Sequence, residues 1–235
     1  MAKLFIIGTP IGNLGDITFR AVETLKNVDY VAAEDTRHTL QLLNHFEIKK
    51  PMISCRAQNE KFVSEKIIQL LNEGHDIAYA SDAGTPGVSD PGAVLVDHVR
   101  EAGFDIVPIP GPAAFATLVS VAGTGGKTLI FEGFLSPKAG KRKSRLTELM
   151  ATGNAVVIYE SPFRIVKLLT DISDIDSGRR IVVGRELTKL HEEITSGTAK
   201  ELLDDYAARQ SIKGEFAVFI SGVKKLNISS ESTDN

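Results

Sequence analysis

Apolar positions follow two alternating rhythms along the first half of the chain. Short β-rich runs predict strands at Leu4–Ile7, Tyr30–Ala33, Ile77–Ala80 and Ile106–Ile109. Between them the spacing turns helical, over Asp16–Lys26, Thr36–His45, Glu60–Asn72 and Ala93–Ala102. Asp16 reads as an N-cap, and Gly74 and Gly103 stand where helices commonly end in a left-handed residue. Strand–helix alternation predicts a mainly parallel α/β sheet. Ligands of such sheets bind beyond the carboxyl ends of the strands. The loop after Ile77–Ala80 is therefore the first place to look for chemistry.

That loop reads SDAGTPGVSDPG, residues 81–92, with three glycines, two prolines and two aspartates. Glycine permits positive φ and close approach of the backbone, and proline pre-sets a turn. Together they suit a main-chain cradle for a small ligand. A second unit is predicted after the glycine-rich GTGGKT, residues 123–128. Its strands fall at Leu129–Phe131, Ala155–Tyr159, Ile181–Val183, Glu193–Thr195 and Phe216–Ile220, and its helices at Lys141–Ala151, Pro162–Ile172 and Ala199–Ala208. The reading is of two domains, 1–122 and 123–226, with a polar, disordered tail at 227–235.

Residues 106–126 carry no charge and are long enough to span a bilayer. Pro108, Pro110 and Pro112 break any helix there, so the prediction is a buried strand followed by a buried helix and no membrane span. Composition changes the picture little: 43% hydrophobic and 24% charged residues are ordinary for a globular chain. One cysteine, Cys55, suits a reducing cytoplasm. A net charge of −3 gives no global attraction to nucleic acid, so phosphate contacts would have to be local. The stretch KAGKRKSR is the one such patch, offering Lys138, Lys141, Arg142, Lys143 and Arg145. GGKT lacks the first glycine of a phosphate-binding P-loop, and HEEIT, 191–195, lacks the second histidine of a zinc-protease helix. The other histidines show no ligand spacing, so no metal is expected.

Several motifs go beyond generic α/β. GTPIGNLGDIT follows the first strand, AEDTRHT, 33–39, closes the second, and SDAGTPGVSDPG and PGPAA, 110–114, come next. YESPFR, 159–164, then GREL and HEE continue in the second half. Together, from residue 4 to about 222, they resemble the tetrapyrrole methylase superfamily, and within it the branch that methylates ribosomal RNA. The cobalamin-pathway relatives carry a different first loop and a G-D-P core in the second, where this chain has Gly84-Thr85-Pro86.

The resemblance implies two αβα domains with S-adenosyl-L-methionine in a cleft between them. It implies methyl transfer to a ribose 2′-oxygen of a 16S rRNA cytidine, within the 30S subunit, by a cytoplasmic homodimer. It places Pro10, Asp82, Gly84, Thr85, Val88, Ala113, Ala114 and Tyr159 at the cofactor. A ribose hydroxyl is a poor nucleophile, so a base or an alkoxide stabiliser is expected at the strand ends. Glu34, Asp35, Arg37, Glu160 and Arg164 are the candidates, with Arg185 and Glu186 in a third pairing of carboxylate with arginine. Bracing ion pairs would use the same residue types. Two other readings stay open: a methylase of tetrapyrrole or diphthine-type substrates, and a non-catalytic nucleotide- or RNA-binding module.

Overall fold

The computed structural model describes residues 2–123 and 126–223. They form two compact units. One runs to Thr117 and includes Leu187–His191; the other runs from Leu118 to Glu186 and resumes at Glu192. The sequence reading divides the chain after residue 122. The tail from 227, and residues 124 and 125 of GTGGKT, lie outside the described residues.

The first unit holds β1 (Lys3–Ile7), β2 (Tyr30–Ala33), β3 (Met52–Ser54), β4 (Ile77–Ala80) and β5 (Asp105–Ile109), all parallel, in the order β3-β2-β4-β1-β5. Helices α1 (Phe19–Asn27), α2 (Thr36–His45), α3 (Glu60–Asn72) and α4 (Ala93–Glu101) cover both faces. Leu25 of α1 and Leu43 of α2 pack with Ile7, Val31 and Ala78 on one face. Val63, Ile67 and Leu71 of α3 and Leu95 and Val99 of α4 pack with Leu4, Ala32, Ile77 and Tyr79 on the other. Burial on both sides explains why β2 and β4 read as continuous apolar runs, whereas β5, at the sheet edge, is buried only at Ile109 and so is not the buried strand expected there.

Two details depart from the sequence reading. The first helix starts at Phe19, capped by Thr18, whose Oγ1 accepts the Ala21 N–H at 3.1 Å. Asp16 instead ends a separate 3₁₀ turn, Leu14–Asp16, which Asn13 nucleates by accepting the Gly15 N–H at 3.0 Å. Strand β3 is only three residues long, too short to show a period.

The second unit holds β6 (Leu129–Phe134), β7 (Ala155–Glu160), β8 (Arg180–Arg185), β9 (Glu193–Thr198) and β10 (Phe216–Ile220), in the order β6-β7-β10-β8-β9. Only β6 and β7 pair in parallel; the other ladders are antiparallel. Counting from the chain start, α5 (Ala114–Ala122) precedes this sheet, and α6 (Ala139–Ala151), α7 (Ile165–Ile175) and α8 (Ala199–Ala208) follow within it. Leu146, Leu168 and Leu202, one from each of α6, α7 and α8, meet Val156, Ile158, Val183 and Val218 in a single core.

The expected buried helix is corrected at α5. Leu118 alone is fully buried there, and Val121 is 53% exposed. Lack of charge shows where polar groups are missing, not which faces other elements cover. Among the described residues, no helix is long and apolar enough to cross a membrane.

Candidate cofactor and active site

Strands β1 and β4 are neighbours, yet β1 leads on to β2 on one side of the pair and β4 to β5 on the other. Such a switch point opens a crevice at the carboxyl ends. Here the loops meet main chain to main chain. The Thr9 N–H donates to the Gly84 carbonyl at 2.8 Å, and the Gly84 N–H returns to the Thr9 carbonyl at 3.1 Å. A Cβ on Gly8 would stand 2.5 Å from the Gly111 nitrogen, so the β1 and β5 loops touch only because both residues are glycine. Thr85 Oγ1 donates to the Pro112 carbonyl at 3.4 Å, joining the β4 and β5 loops. Gly84 itself has φ +78°, a left-handed value that glycine adopts without strain. A cavity of about 220 Å³ lies against Thr9, Pro10, Leu14, His38, Ser81 and Asp82.

Carboxylates gather beside this cavity. Asp82 Oδ1 accepts the Asp35 N–H at 2.9 Å, and the Asp82 N–H reaches Glu34 Oε2 at 3.5 Å. Asp35 also caps α2, taking the Arg37 N–H at 2.9 Å, and its Oδ2 meets Arg37 Nη2 at 2.6 Å. These Arg37 bonds hold the Asp35 carboxyl well below the usual carboxylate range. Glu34 moves the other way: desolvation by burial, then repulsion from Asp82, pushes its carboxyl up. Asp35 is thus pinned as an anion, while its neighbour Glu34 holds its proton longer. Among the described residues, no group of three or more His, Cys, Asp or Glu could hold a metal ion.

The fold brings Pro10, Asp82, Gly84 and Thr85 together with Glu34, Asp35 and Arg37 at the carboxyl end of the first sheet. Val88 closes a turn on Thr85, its N–H donating at 3.3 Å. Ala113 and Ala114 open α5, with the Ala113 carbonyl accepting the Thr117 N–H at 3.0 Å. Tyr159, Glu160 and Arg164 belong to the second unit, at the end of β7 and the start of α7. The Tyr159 ring meets Phe131 and Phe134 edge-on, at 5.0 and 5.7 Å between centroids. The Glu160 side chain is fully buried; its Oε1 takes Arg164 Nε at 2.6 Å and the Ser161 N–H at 2.7 Å. Arg185 is held by Glu193, 3.3 Å away, and by the Lys213 carbonyl. A larger cavity of about 870 Å³ lies at the opposite ends of the second unit's strands, by Thr128, Gly153, Arg180 and Gly222, away from every one of these residues.

The basic stretch is corrected at one residue. From Ala139 on it forms the first turns of α6, which begins two residues before the predicted start. Arg142 is no phosphate contact, because its side chain is only 5% exposed and its Nε donates to Asp171 Oδ2 at 2.6 Å. Helical geometry turns every third or fourth residue inward, and here one of those carries charge. Lys143 pairs with Asp174 at 2.7 Å, and Arg145 clasps Glu132 at 2.7 and 2.8 Å. Lys138 and Lys141 are exposed.

One contributor escaped the sequence reading. Glu60, at the start of α3, is buried and accepts the N–H groups of Gly92 and Leu95. An acidic residue in a helix's first turn is unremarkable in sequence, and its partners lie 32 and 35 positions away.

A parallel sheet with a glycine- and proline-lined switch point, followed by a mixed sheet with its own helical layer, defines the class: a two-unit α/β protein with a ligand crevice at the first sheet's switch point. Residues 3–203 match the Tetrapyrrole (Corrin/Porphyrin) Methylases. The chain belongs to that family, whose members take the methyl group from S-adenosylmethionine. It is similar to the Ribosomal RNA small subunit methyltransferase I of Borrelia garinii subsp. bavariensis, with 45% identity over 93% of this chain and 98% of the relative. The protein of that name from Thermotoga maritima is 43% identical over 94% and 99%. Among solved structures, the methyltransferase CobJ superposes with a TM-score of 0.71 at 16% identity over 94% and 95% of the two chains. Cobalt precorrin-4 methyltransferase, CbiF, a cobalamin biosynthetic enzyme, gives 0.69 at 19% over 93% and 94%. At that identity the likeness is one of fold.

Proposed function

We propose that this chain is an S-adenosylmethionine-dependent ribosomal RNA methyltransferase that modifies a ribose 2′-oxygen of a 16S rRNA cytidine in the 30S subunit. The observation that carries the cofactor half is the main-chain junction at the switch point, where Thr9 pairs with Gly84 and Gly8 abuts Gly111. A Cβ at Gly8 would strike Gly111, so glycine is what lets these loops close together around the switch-point crevice in which we place the cofactor. The RNA half rests on relatives at 43–45% identity over nearly their whole length. The basic stretch no longer separates an RNA from a tetrapyrrole substrate, since three of its five cations are engaged within the protein.

When bound, the cofactor supplies an electrophilic methyl group on a sulfonium. Pro10, Gly84, Thr85 and Val88 would line the cradle, and the N–H groups of Ala113 and Ala114, where α5 opens, would suit a carboxylate. Asp82 orients the acidic group by holding the Asp35 main chain. Methyl transfer needs an in-line nucleophile and a group to take the hydroxyl proton. Asp35 is unsuited to that, since Arg37 holds it as an anion of low basicity. Glu160 is fully buried and braced by Arg164. Glu34, whose carboxyl is pushed up and whose Oε2 lies 3.5 Å from the N–H of cavity-lining Asp82, is our candidate to take the ribose hydroxyl proton; the cofactor, when bound, would give up its methyl group to the 2′-oxygen and leave as a neutral sulfide. Lys138 and Lys141, exposed and outside the ion pairs that engage Arg142, Lys143 and Arg145, are the phosphate contacts. The protein works in the cytoplasm, and the apolar, half-exposed α5 supports a homodimer.

The test is incubation with labelled S-adenosylmethionine and undermethylated 30S subunits, followed by mapping of the modified nucleotide. Label on a ribose of 16S rRNA is the expected result. Label on a base, on protein or on a tetrapyrrole alone overturns the reading.

A further inference from the structure

The 81–92 loop is held at its two ends by different means. Its first half is secured by main chain, through Thr9 and Gly84. Its exit is secured by a side chain from another helix. Glu60 Oε1 accepts the Gly92 N–H at 3.0 Å and the Leu95 N–H at 2.8 Å, capping α4 from outside. Gly92 cannot do this itself. Its φ is +124°, and a Cβ there would come within 2.8 Å of the Tyr79 ring, so no Ser, Asp or Asn can occupy the position. The cap must come from elsewhere, and a carboxylate receiving two N–H groups is a strong one.

The connection is stiff on both sides. Ser64 Oγ and His98 Nδ1 lie 2.6 Å apart, pinning α3 to α4 about one turn beyond the Glu60 contacts. Before Glu60, the Cys55 N–H donates to the Ala33 carbonyl at 2.8 Å, and the Arg56 N–H to Asn59 Oδ1 at 2.7 Å. Within the loop, the Gly87 N–H donates to the Pro91 carbonyl at 3.1 Å and Val88 turns back on Thr85. Thr85 and Gly92 are thus linked by two closed turns stiffened by Pro86 and Pro91, and a displacement at Gly92 is passed back to the residues around Gly84.

We propose that Glu60 is a positioning residue for the methyl donor, fixing the exit of the 81–92 loop and thereby the main-chain groups that face the cofactor. The inference rests on the reading that this loop holds S-adenosylmethionine. The test compares full-length Glu60→Ala, Glu60→Gln and Gly84→Val with wild type, measuring KM for S-adenosylmethionine and kcat on undermethylated 30S subunits. Glu60→Ala is expected to raise KM about tenfold or more while kcat at saturating cofactor stays within about twofold. Glu60→Gln keeps a carbonyl acceptor of the same reach and is expected to restore most of the affinity. A role in stability alone would lower the active fraction, and so kcat, without moving KM.

A folded Glu60→Ala with wild-type KM, or a loss confined to kcat, overturns the inference. If Glu60→Ala does not fold, Glu60→Asp decides, being one methylene short of the two amides. Faster hydrogen exchange at Gly92 and Leu95 together with a raised KM supports the inference, and unchanged values overturn it. Folded Gly84→Val with normal cofactor affinity removes the loop reading itself. Gly84→Val that loses affinity while the Glu60 variants keep it removes only the role of Glu60.

Discussion

The two units hold their functional ends in contrasting ways. In the first, the loops after β1, β4 and β5 are joined by backbone hydrogen bonds and glycine contacts, with few side chains between them. In the second, the corresponding ends are braced by ion pairs: Glu160 with Arg164, Arg142 with Asp171, and Glu193 with Arg185 and Arg209. A main-chain surface is pre-set and close-fitting, and any added atom damages it. A side-chain brace tolerates added atoms but fails when one partner is removed. Substitutions in the first unit should therefore act on ligand affinity or chemistry, and charge deletions in the second on stability.

The largest effect that sharpens this contrast is Arg142→Ala. It strands Asp171 in a nearly dry site, and thermal or denaturant unfolding should show a loss of about 3–5 kcal/mol. Replacing both partners together with Met and Leu should recover much of that. If Arg142→Ala stays as stable as wild type but loses RNA affinity, the contrast breaks and the residue is a phosphate contact after all.

Next comes Glu34→Gln, expected to lower kcat about a hundredfold with little change in cofactor affinity. In wild type the rate should fall with acid along a limb centred above the ordinary carboxyl value of 4.5, because Glu34 must lose its raised proton to act as base. The stability sign is opposite to that of a salt-bridged acid. The folded state holds the Glu34 proton more tightly, so its contribution is present below 4.5 and is lost as pH rises through the raised value. An unchanged acid limb in Glu34→Gln assigns the base elsewhere.

Gly84→Val should weaken S-adenosylmethionine binding about tenfold, or roughly 1.4 kcal/mol, measured by calorimetry on folded protein. Its added atoms meet Ile11 and the Pro112 carbonyl, and valine resists the positive φ. The smallest expected effect is that of Lys138→Ala with Lys141→Ala. If both touch phosphate, the salt slope of RNA binding should fall by about two, with cofactor affinity unmoved. An identical salt slope would leave the start of α6 as solvated surface.

Much of this protein was legible before folding was considered. Continuous apolar runs such as Ile77–Ala80 specified strands buried on both faces, and Gly74 and Gly103 marked helix ends, because these signals are local and repeat at the element's own period. The glycines and prolines of 81–92 announced a main-chain surface for the same reason: backbone freedom is a property of the residue itself. Tertiary structure alone decided what depends on partners distant in sequence. Five basic residues in a row of eight look alike in sequence, yet α6 aims Arg142 at Asp171, 29 residues on, and leaves Lys141 in solvent. Glu34 and Asp35 are adjacent carboxylates, separated in chemistry only because Arg37 clasps one while burial beside Asp82 acts on the other. The same holds for Glu60, an ordinary first-turn acid until packing sets the amides of Gly92 and Leu95 against it. Charge and hydrogen bonding act through space over a few ångströms, and which residues come that close is fixed by how the helices dock on the sheet.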